Sequence, residues 1–280
     1  MITRRSLGLL LVVAGVAALV AGCGKNAAYY SERGNQFLKQ GDIDKAVEMY
    51  EKAVEVEPGS HEAHNSLGTA LSVRGDFATA TEHFKRAIAI KGDFLEAHYN
   101  LGRALTETGD LKGAIAEFRR VAELDSTYAL AYMSAGGVLL RTGMAEQAVE
   151  AYKQALRLDP NLSQVYLNLA SAYVGLQNYD EALRTLSEMR AQDPLNPEIV
   201  AMMGRVALLK RDLPQAIGLL EDACRRSPGN AVTRNDLATA LVLSGRKDEA
   251  IGQWEQALAA NPSAELRDAI TRNLERARAE

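Results

Sequence analysis

Small, large and turn-forming residues return along this chain at a fixed interval. In frames of 34 starting at Ala27, the eighth position is Gly34, Gly68, Gly102, Gly136, Ala170, Gly204 and Ala238. The twentieth is alanine every time: Ala46, Ala80, Ala114, Ala148, Ala182, Ala216 and Ala250. The twenty-fourth is large, as Tyr50, Phe84, Phe118, Tyr152, Leu186, Leu220 and Trp254. The thirty-second reads Pro58, Gly92, Ser126, Pro160, Pro194, Pro228 and Pro262, and no insertion breaks the frame from Ala27 to Ala264. A period of this length marks a stacked repeat architecture. The helical spacing of apolar residues on either side of a Gly/Asp turn predicts two helices per frame.

Each position has a physical reason. Position 8 is small where the two helices of a frame cross, position 20 is the matching small site, and the large residue at 24 fills the space they leave. The turns, such as "QGDID", "RGDFA" and "TGDLK", place Gly41, Gly75, Gly109, Gly143 and Gly245 where a helix ends in the left-handed conformation. Asp42, Asp76, Asp110 and Asp212 follow as caps for the next helix. The proline at position 32 stands past the second helix, which it cannot continue. Departures are local. Gln177 and Arg211 replace the turn glycine in frames five and six, Gly92 and Ser126 replace the closing proline, and Val121 and Met189 stand at the usually small position 27. Residues 265–280, "ELRDAITRNLERARAE", predict one more helix with Leu266, Ala269, Ile270, Leu274 and Ala277 on one stripe. A stacked array needs such an end, since its last repeat otherwise leaves a core face wet.

This pattern resembles the tetratricopeptide repeat family, with repeats at 27–60, 61–94, 95–128, 129–162, 163–196, 197–230 and 231–264. The resemblance implies an all-α fold: a right-handed superhelical solenoid of seven 34-residue helical hairpins with a capping helix at 265–280. It also implies that first helices line a concave groove, with positions 2, 5, 6, 9, 12 and 13 facing in. The family's carboxylate clamp needs lysine at position 5. Here that position reads Ser31, Asn65, Tyr99, Met133, Leu167, Ala201 and Asn235, so the clamp is absent. The first three repeats offer a polar wall (Glu32, Asn35, Lys39, Asn65, Glu96, Asn100, Arg103 and Glu107), whereas the next three add Leu130, Met133, Leu140, Leu167, Val174, Met202 and Leu208. The candidate peptide-binding residues are Asn65, Asn100, Arg103, Met133, Leu140, Asn168, Val174, Met202, Arg205 and Leu208. An apolar strip with a few amides suits a peptide, because side chains bury in it and amides hold backbone.

The N-terminus predicts where the array sits. Arg4 and Arg5 precede an uncharged run from Ser6 to Gly22, 17 residues that end "LVAGC". Positive start, apolar core and small end are the layout of an export signal. "VAGC" resembles the lipobox of bacterial lipoproteins, which implies cleavage of residues 1–22 and attachment of diacylglyceryl and fatty acid (palmitate and its like) to Cys23. The alternative is an uncleaved anchor at the lower end of membrane-spanning length. "TRRSLGL" also resembles a twin-arginine signal, although the Leu/Val-rich core suits the general secretory route better. Residues 23–26 form a tether in which only Gly24, Lys25 and Asn26 separate the cysteine from the first repeat. At about 3.5 Å per extended residue they reach roughly 10 Å. Gly24 is not the aspartate that retains lipoproteins at the inner membrane of enteric bacteria, so the expected location is the outer membrane, facing the periplasm. In a cell with one membrane it is that membrane's outer face.

Composition narrows the chemistry. Aromatics make up 6% and the formal net charge is −4, which gives no electrostatic footprint for nucleic acid. Two cysteines, Cys23 and Cys224, cannot staple a fold of this size. "HEAHN" puts His61 and His64 three apart, not four as a zinc protease helix needs, and His64 and His98 share position 4, a packing site. No metal or cofactor is expected, and His83 is expected to be a solvated helix residue. No catalytic constellation emerges, and the frame leaves no room for a catalytic domain. The expected function is therefore a non-enzymatic, membrane-tethered scaffold of the bacterial envelope that holds a partner's peptide segment and aids assembly or localisation of an envelope complex. The plan is similar to type IV pilus pilotin lipoproteins, which assist assembly of an outer-membrane secretin. Two other functions stay open: an adaptor or regulatory subunit of a peptidoglycan or polysaccharide enzyme, and a cytoplasmic co-chaperone-like protein with an uncleaved anchor.

Overall fold

The structure, a computed structural model, describes residues 25–279, and these form fifteen α-helices with no strand among them. In chain order they are α1 (Ala27–Gln40), α2 (Ile43–Val56), α3 (His61–Arg74), α4 (Phe77–Ile90), α5 (Leu95–Thr108), α6 (Leu111–Leu124), α7 (Ala129–Arg141) and α8 (Ala145–Leu158). There follow α9 (Ser163–Gly175), α10 (Tyr179–Gln192), α11 (Pro197–Leu209), α12 (Leu213–Arg226), α13 (Ala231–Leu243), α14 (Lys247–Ala259) and α15 (Ala264–Ala279). The helices gather into two compact units, one through Val138 and one from Leu139. Each is an all-α stack of helical hairpins in which consecutive helices pack on one another, α1 to α6 in the first and α8 to α15 in the second.

Local chemistry sets the hairpins. Asp42, Asp76, Asp110 and Asp212 each cap a second helix, with a side-chain oxygen accepting the backbone N–H three residues on. Such a cap contributes about 1 kcal/mol. The turn glycines 41, 75, 109, 143 and 245 all take positive φ. Gln177 (φ 56°) and Arg211 (φ 67°) adopt the same left-handed conformation without glycine's freedom. The turns in repeats five and six therefore keep the common geometry, at a backbone cost of about 1–2 kcal/mol each.

The hairpins close on one contact. A Cβ on Gly34, Gly68 or Gly102 would lie 2.7, 2.7 or 2.8 Å from the ring of Tyr50, Phe84 or Phe118, sixteen residues on. On Gly204 it would lie 2.7 Å from Leu220. In these four repeats the position-24 side chain thus rests on the bare backbone of position 8; in repeats five and seven that position is Ala170 and Ala238. Tyr50, Phe84, Phe118, Tyr152, Leu186 and Leu220 are all buried, as is every alanine at position 20.

A second contact joins successive hairpins. In five repeats the backbone carbonyl at position 32 is taken by a side chain of the next repeat. Pro58 O accepts from His64 Nε2 (3.2 Å) and Gly92 O from His98 Nε2 (3.2 Å). Pro160 O accepts from Gln192, Pro194 O from Arg226 and Pro228 O from Arg234. His83 is not the solvated residue expected: it is half-buried, and its Nδ1 lies 3.1 Å from His64 Nδ1. Because Pro58 O can only accept, His64 carries its proton on Nε2, and His83 Nδ1–H donates to His64 Nδ1. In the next repeat the same place is held by His98 and Glu117, 2.6 Å apart. In the second unit, α15 lays Ile270, Leu274 and Ala277 into the core formed by α12 to α14.

These contacts make opposite predictions for two glycines. Gly68→Ala pushes on the Phe84 ring and lowers unfolding free energy by about 1–3 kcal/mol. Gly218→Ala in α12, where a Cβ meets nothing within 4 Å, raises it by roughly 0.5–1 kcal/mol; urea melts of the two variants check the signs. Burial holds the His64 and His83 imidazoles below their ordinary value, with the neighbouring His64 adding to the effect on His83. Their share of stability is complete above the unfolded value of about 6.5 and falls as pH drops below it. The Glu117 carboxylate instead raises His98, whose share is complete below that value and is lost as pH rises through its raised one. In urea melts across neutral pH, His83→Gln should lessen the acid-side loss and His98→Gln the loss on the alkaline side.

Candidate functional site

In the first unit the first helices α3 and α5 lie side by side, and between them opens a depression of about 220 Å³. Thr69, Ser72 and Val73 line it from α3, Asn100, Arg103, Ala104 and Glu107 from α5, and Phe77 and Phe84 from α4. Asn100 Nδ2 donates to Asn65 Oδ1 (3.1 Å) and lies 3.5 Å from Thr69 Oγ1. Thr69 in turn donates to the Asn65 carbonyl at 2.8 Å, which fixes its rotamer. Arg103 is exposed and forms no ion pair among the described residues. The structure thus brings Asn65, Asn100 and Arg103 together as a small polar site with an aromatic floor. Ser72, Val73 and Ala104 belong to it too, although the sequence did not single them out.

Position 24 supports this surface from behind. Tyr50 Oη donates to Asn35 Oδ1 at 2.7 Å, and Trp254 Nε1 donates to Asn235 Oδ1 at 3.0 Å. Burial pushes the Tyr152 phenol up to about 12, offset in part by its hydrogen bond with Asn168. Tyr50 and Trp254 thus orient an amide on the first helix of their own hairpin, and Tyr152 one on the first helix of the next. Asn168 also accepts from Gln164 on its own helix.

The other candidates lie on successive first helices. In the first unit Met133 is half-buried on α7, next to Ser134, whose Oγ lies 3.4 Å from Tyr99 Oη. In the second unit Leu140, Asn168, Val174, Met202 and Leu208 are half-buried, and Leu208 packs against the core of that unit. Arg205 is exposed but not free: its Nε donates to Asp236 Oδ2 at 2.9 Å, across from α11 to α13. Burial raises the Asp236 carboxyl above its ordinary value, and Arg205 draws it back down. Asp236 was missed because its partner stands in the preceding repeat. Leu209, Val242 and Leu243 add exposed apolar surface at the ends of α11 and α13.

Other chemistry-bearing groups serve packing. His61 stacks edge-on against Phe94, ring centroids 4.7 Å apart. Among the described residues no group of three or more His, Cys, Asp or Glu could hold a metal ion. Cys224 is buried, and burial pushes its thiol up, away from the reactive thiolate. Cys23 lies outside the described residues. Among those described, no helix is long and apolar enough to cross a membrane.

Stacked helical hairpins with a 34-residue period define an all-α repeat solenoid. Sequence models described as tetratricopeptide repeat match residues 31–93, 73–134, 139–206 and 207–272, so the chain belongs to the tetratricopeptide repeat family. Proteins of this family bind peptides or other proteins and are in general non-enzymatic scaffolds. No curated protein matches the sequence. Among solved structures, the chain is similar to MamA at 27% identity and TM-score 0.57, over 61% of this chain and 93% of that one. It is similar to YrrB, described as a tetratricopeptide repeat protein with an unusual peptide-binding site, at 21% identity and TM-score 0.55, over 69% of this chain and 99% of that one. PilF of Pseudomonas aeruginosa matches at 23% identity and TM-score 0.59, over 73% and 93%. At such identities YrrB and PilF show the fold alone.

The Arg205–Asp236 pair yields a test of the site's electrostatics. Arg205→Ala leaves a mostly buried carboxylate without its cation and should cost about 1–2 kcal/mol of unfolding free energy. Asp236→Asn in the same background should recover most of it, as a double-mutant cycle in urea would measure.

Proposed function

We propose that this protein is a non-catalytic, membrane-tethered scaffold of the bacterial envelope. It takes an extended or helical segment of an envelope partner along its first helices and thereby aids assembly or localisation of a membrane complex. The observation that carries this reading is the depression between α3 and α5, where amide groups and the Arg103 guanidinium stand over an aromatic floor. Amides at a groove hold a peptide's backbone while half-buried apolar neighbours take its side chains. Half-buried methionines at 133 and 202 adapt to side chains of differing shape. The tether is the lipobox-like "VAGC" and its acylated Cys23. More than one acyl chain on one residue gives stable anchoring. With three residues between anchor and first repeat, the partner is itself at the membrane. The secretin-assembling plan of pilotin lipoproteins is one instance of such a role.

The test is comparative capture from detergent-solubilised envelope, using the full chain and two variants, Asn100→Ala with Arg103→Glu and Met202→Glu. A partner held by the first helices should be lost from at least one variant while circular dichroism of both stays helical. Retention of every captured protein by both variants contradicts the reading. Mass spectrometry of the native N-terminus should find acyl mass on Cys23; an unmodified terminus removes the tether from the account.

A further inference from the structure

The first hairpin has a face that no other hairpin shows. Position 3 is buried in all six later repeats, as in Ala63, Ala97 and Val165, because it meets the second helix of the repeat before. In the first repeat that position is Tyr29, 41% exposed. Position 7 is a buried leucine at Leu67, Leu101, Leu169 and Leu237, but here it is the exposed Arg33. Position 11, buried in every later repeat, is here the half-buried Phe37. Among the described residues no hairpin precedes α1, and none of them covers this end face.

Its composition is specific. Lys25 Nζ stands 5.0 Å from the centre of the Tyr29 ring, and Tyr29 meets Tyr30 edge-on at 5.4 Å. The Arg33 guanidinium lies 5.1 Å over Phe37, and Lys45 Nζ lies 5.6 Å from the same ring. A face built to stack on another repeat would repeat the small and aliphatic residues of positions 3 and 7. A face built only for water would carry no cluster of rings. Rings interleaved with cations suit the headgroup level of a bilayer, where aromatic side chains settle and Lys and Arg meet lipid phosphates.

The chain's own path supplies the lipid. Lys25 is two residues from Cys23, and the uncharged run from Ser6 to Gly22 ends directly before that cysteine. Whether Cys23 is acylated or the run is kept as an anchor, α1 begins within roughly 10 Å of hydrocarbon. We infer that the end face formed by Lys25, Tyr29, Arg33 and the outer edge of Phe37 docks on phospholipid headgroups, so that the first hairpin lies against the bilayer rather than swinging from its tether. This inference rests on the membrane-tethered reading above.

The experiment uses the full chain reconstituted into phosphatidylcholine–phosphatidylglycerol vesicles that carry a spin label at headgroup level. Trp254 is the single native tryptophan and is buried, so it serves as an internal reference. Tyr29→Trp places a reporter on the end face, and Ile90→Trp, in a separate variant, places one at an exposed site on α4 of the same unit. The expected result is that the end-face indole loses most of its emission while the α4 indole and the buried Trp254 keep theirs. Adding Lys25→Glu and Arg33→Glu should restore emission from the end-face indole while the chain still floats with the vesicles. A floating chain whose end-face indole is quenched no more than the α4 one overturns the docking inference and leaves the tether standing. A chain that does not float overturns both. An end-face emission that shifts to the blue with protein concentration before lipid is added assigns the face to a second copy, and the inference fails.

Discussion

A large side chain resting on a position kept to glycine or alanine, a ring on bare backbone in the first three repeats, is the constraint on which the rest of this protein depends. With 2.7 Å between the Phe84 ring and a would-be Cβ on Gly68, the two helices of a hairpin approach closer than any branched residue permits. That approach buries the large residue at position 24 and the alanine at position 20 in one step. It also fixes the rotation of the first helix, and with it which residues face outward. The orientation of the Asn35 and Asn235 amides is therefore a consequence of core packing, through the Tyr50–Asn35 and Trp254–Asn235 bonds.

Between hairpins the chain relies on a different contact. A carbonyl at position 32 meets a donor from position 4 or 30 of the next repeat, so neighbours are joined by polar contacts as well as by apolar ones. Donor identity varies: histidine in repeats two and three, glutamine in five, arginine in six and seven. The geometry is kept along the molecule while its pH response is not. In repeats two and three the histidines respond to pH in opposite directions, because burial holds His64 down and the Glu117 carboxylate raises His98.

Much of this was legible in the periodicity. A residue that must be small recurs as Gly or Ala, and a residue that must turn recurs as Gly followed by Asp. Helix boundaries, caps and core positions follow without any knowledge of contacts. What periodicity hides is variable positions with tertiary partners. Position 23 reads as solvated because His83 and Glu117 share no chemistry, yet each meets position 4 of its own repeat. Arg205 and Asp236 stand 31 residues apart in different repeats, and neither position is constant enough to suggest a pair. The depression between α3 and α5 needs the packing of two first helices before it exists. The end face was visible as an anomaly, Tyr29 and Arg33 at positions elsewhere apolar or small, but its meaning required knowing what those positions touch in later repeats.

In repeats one, two, three and six the hairpin is closed by its own position 8 and position 24, and repeats support only their neighbours. Residue-level hydrogen exchange on the full chain carrying Gly102→Val measures this directly, since the three atoms nearest an added Cβ all belong to Phe118. Loss of protection should centre on α5 and α6, extend into α4 and α7, and leave α13 to α15 unchanged. Equal loss of protection from α1 to α15 would contradict it.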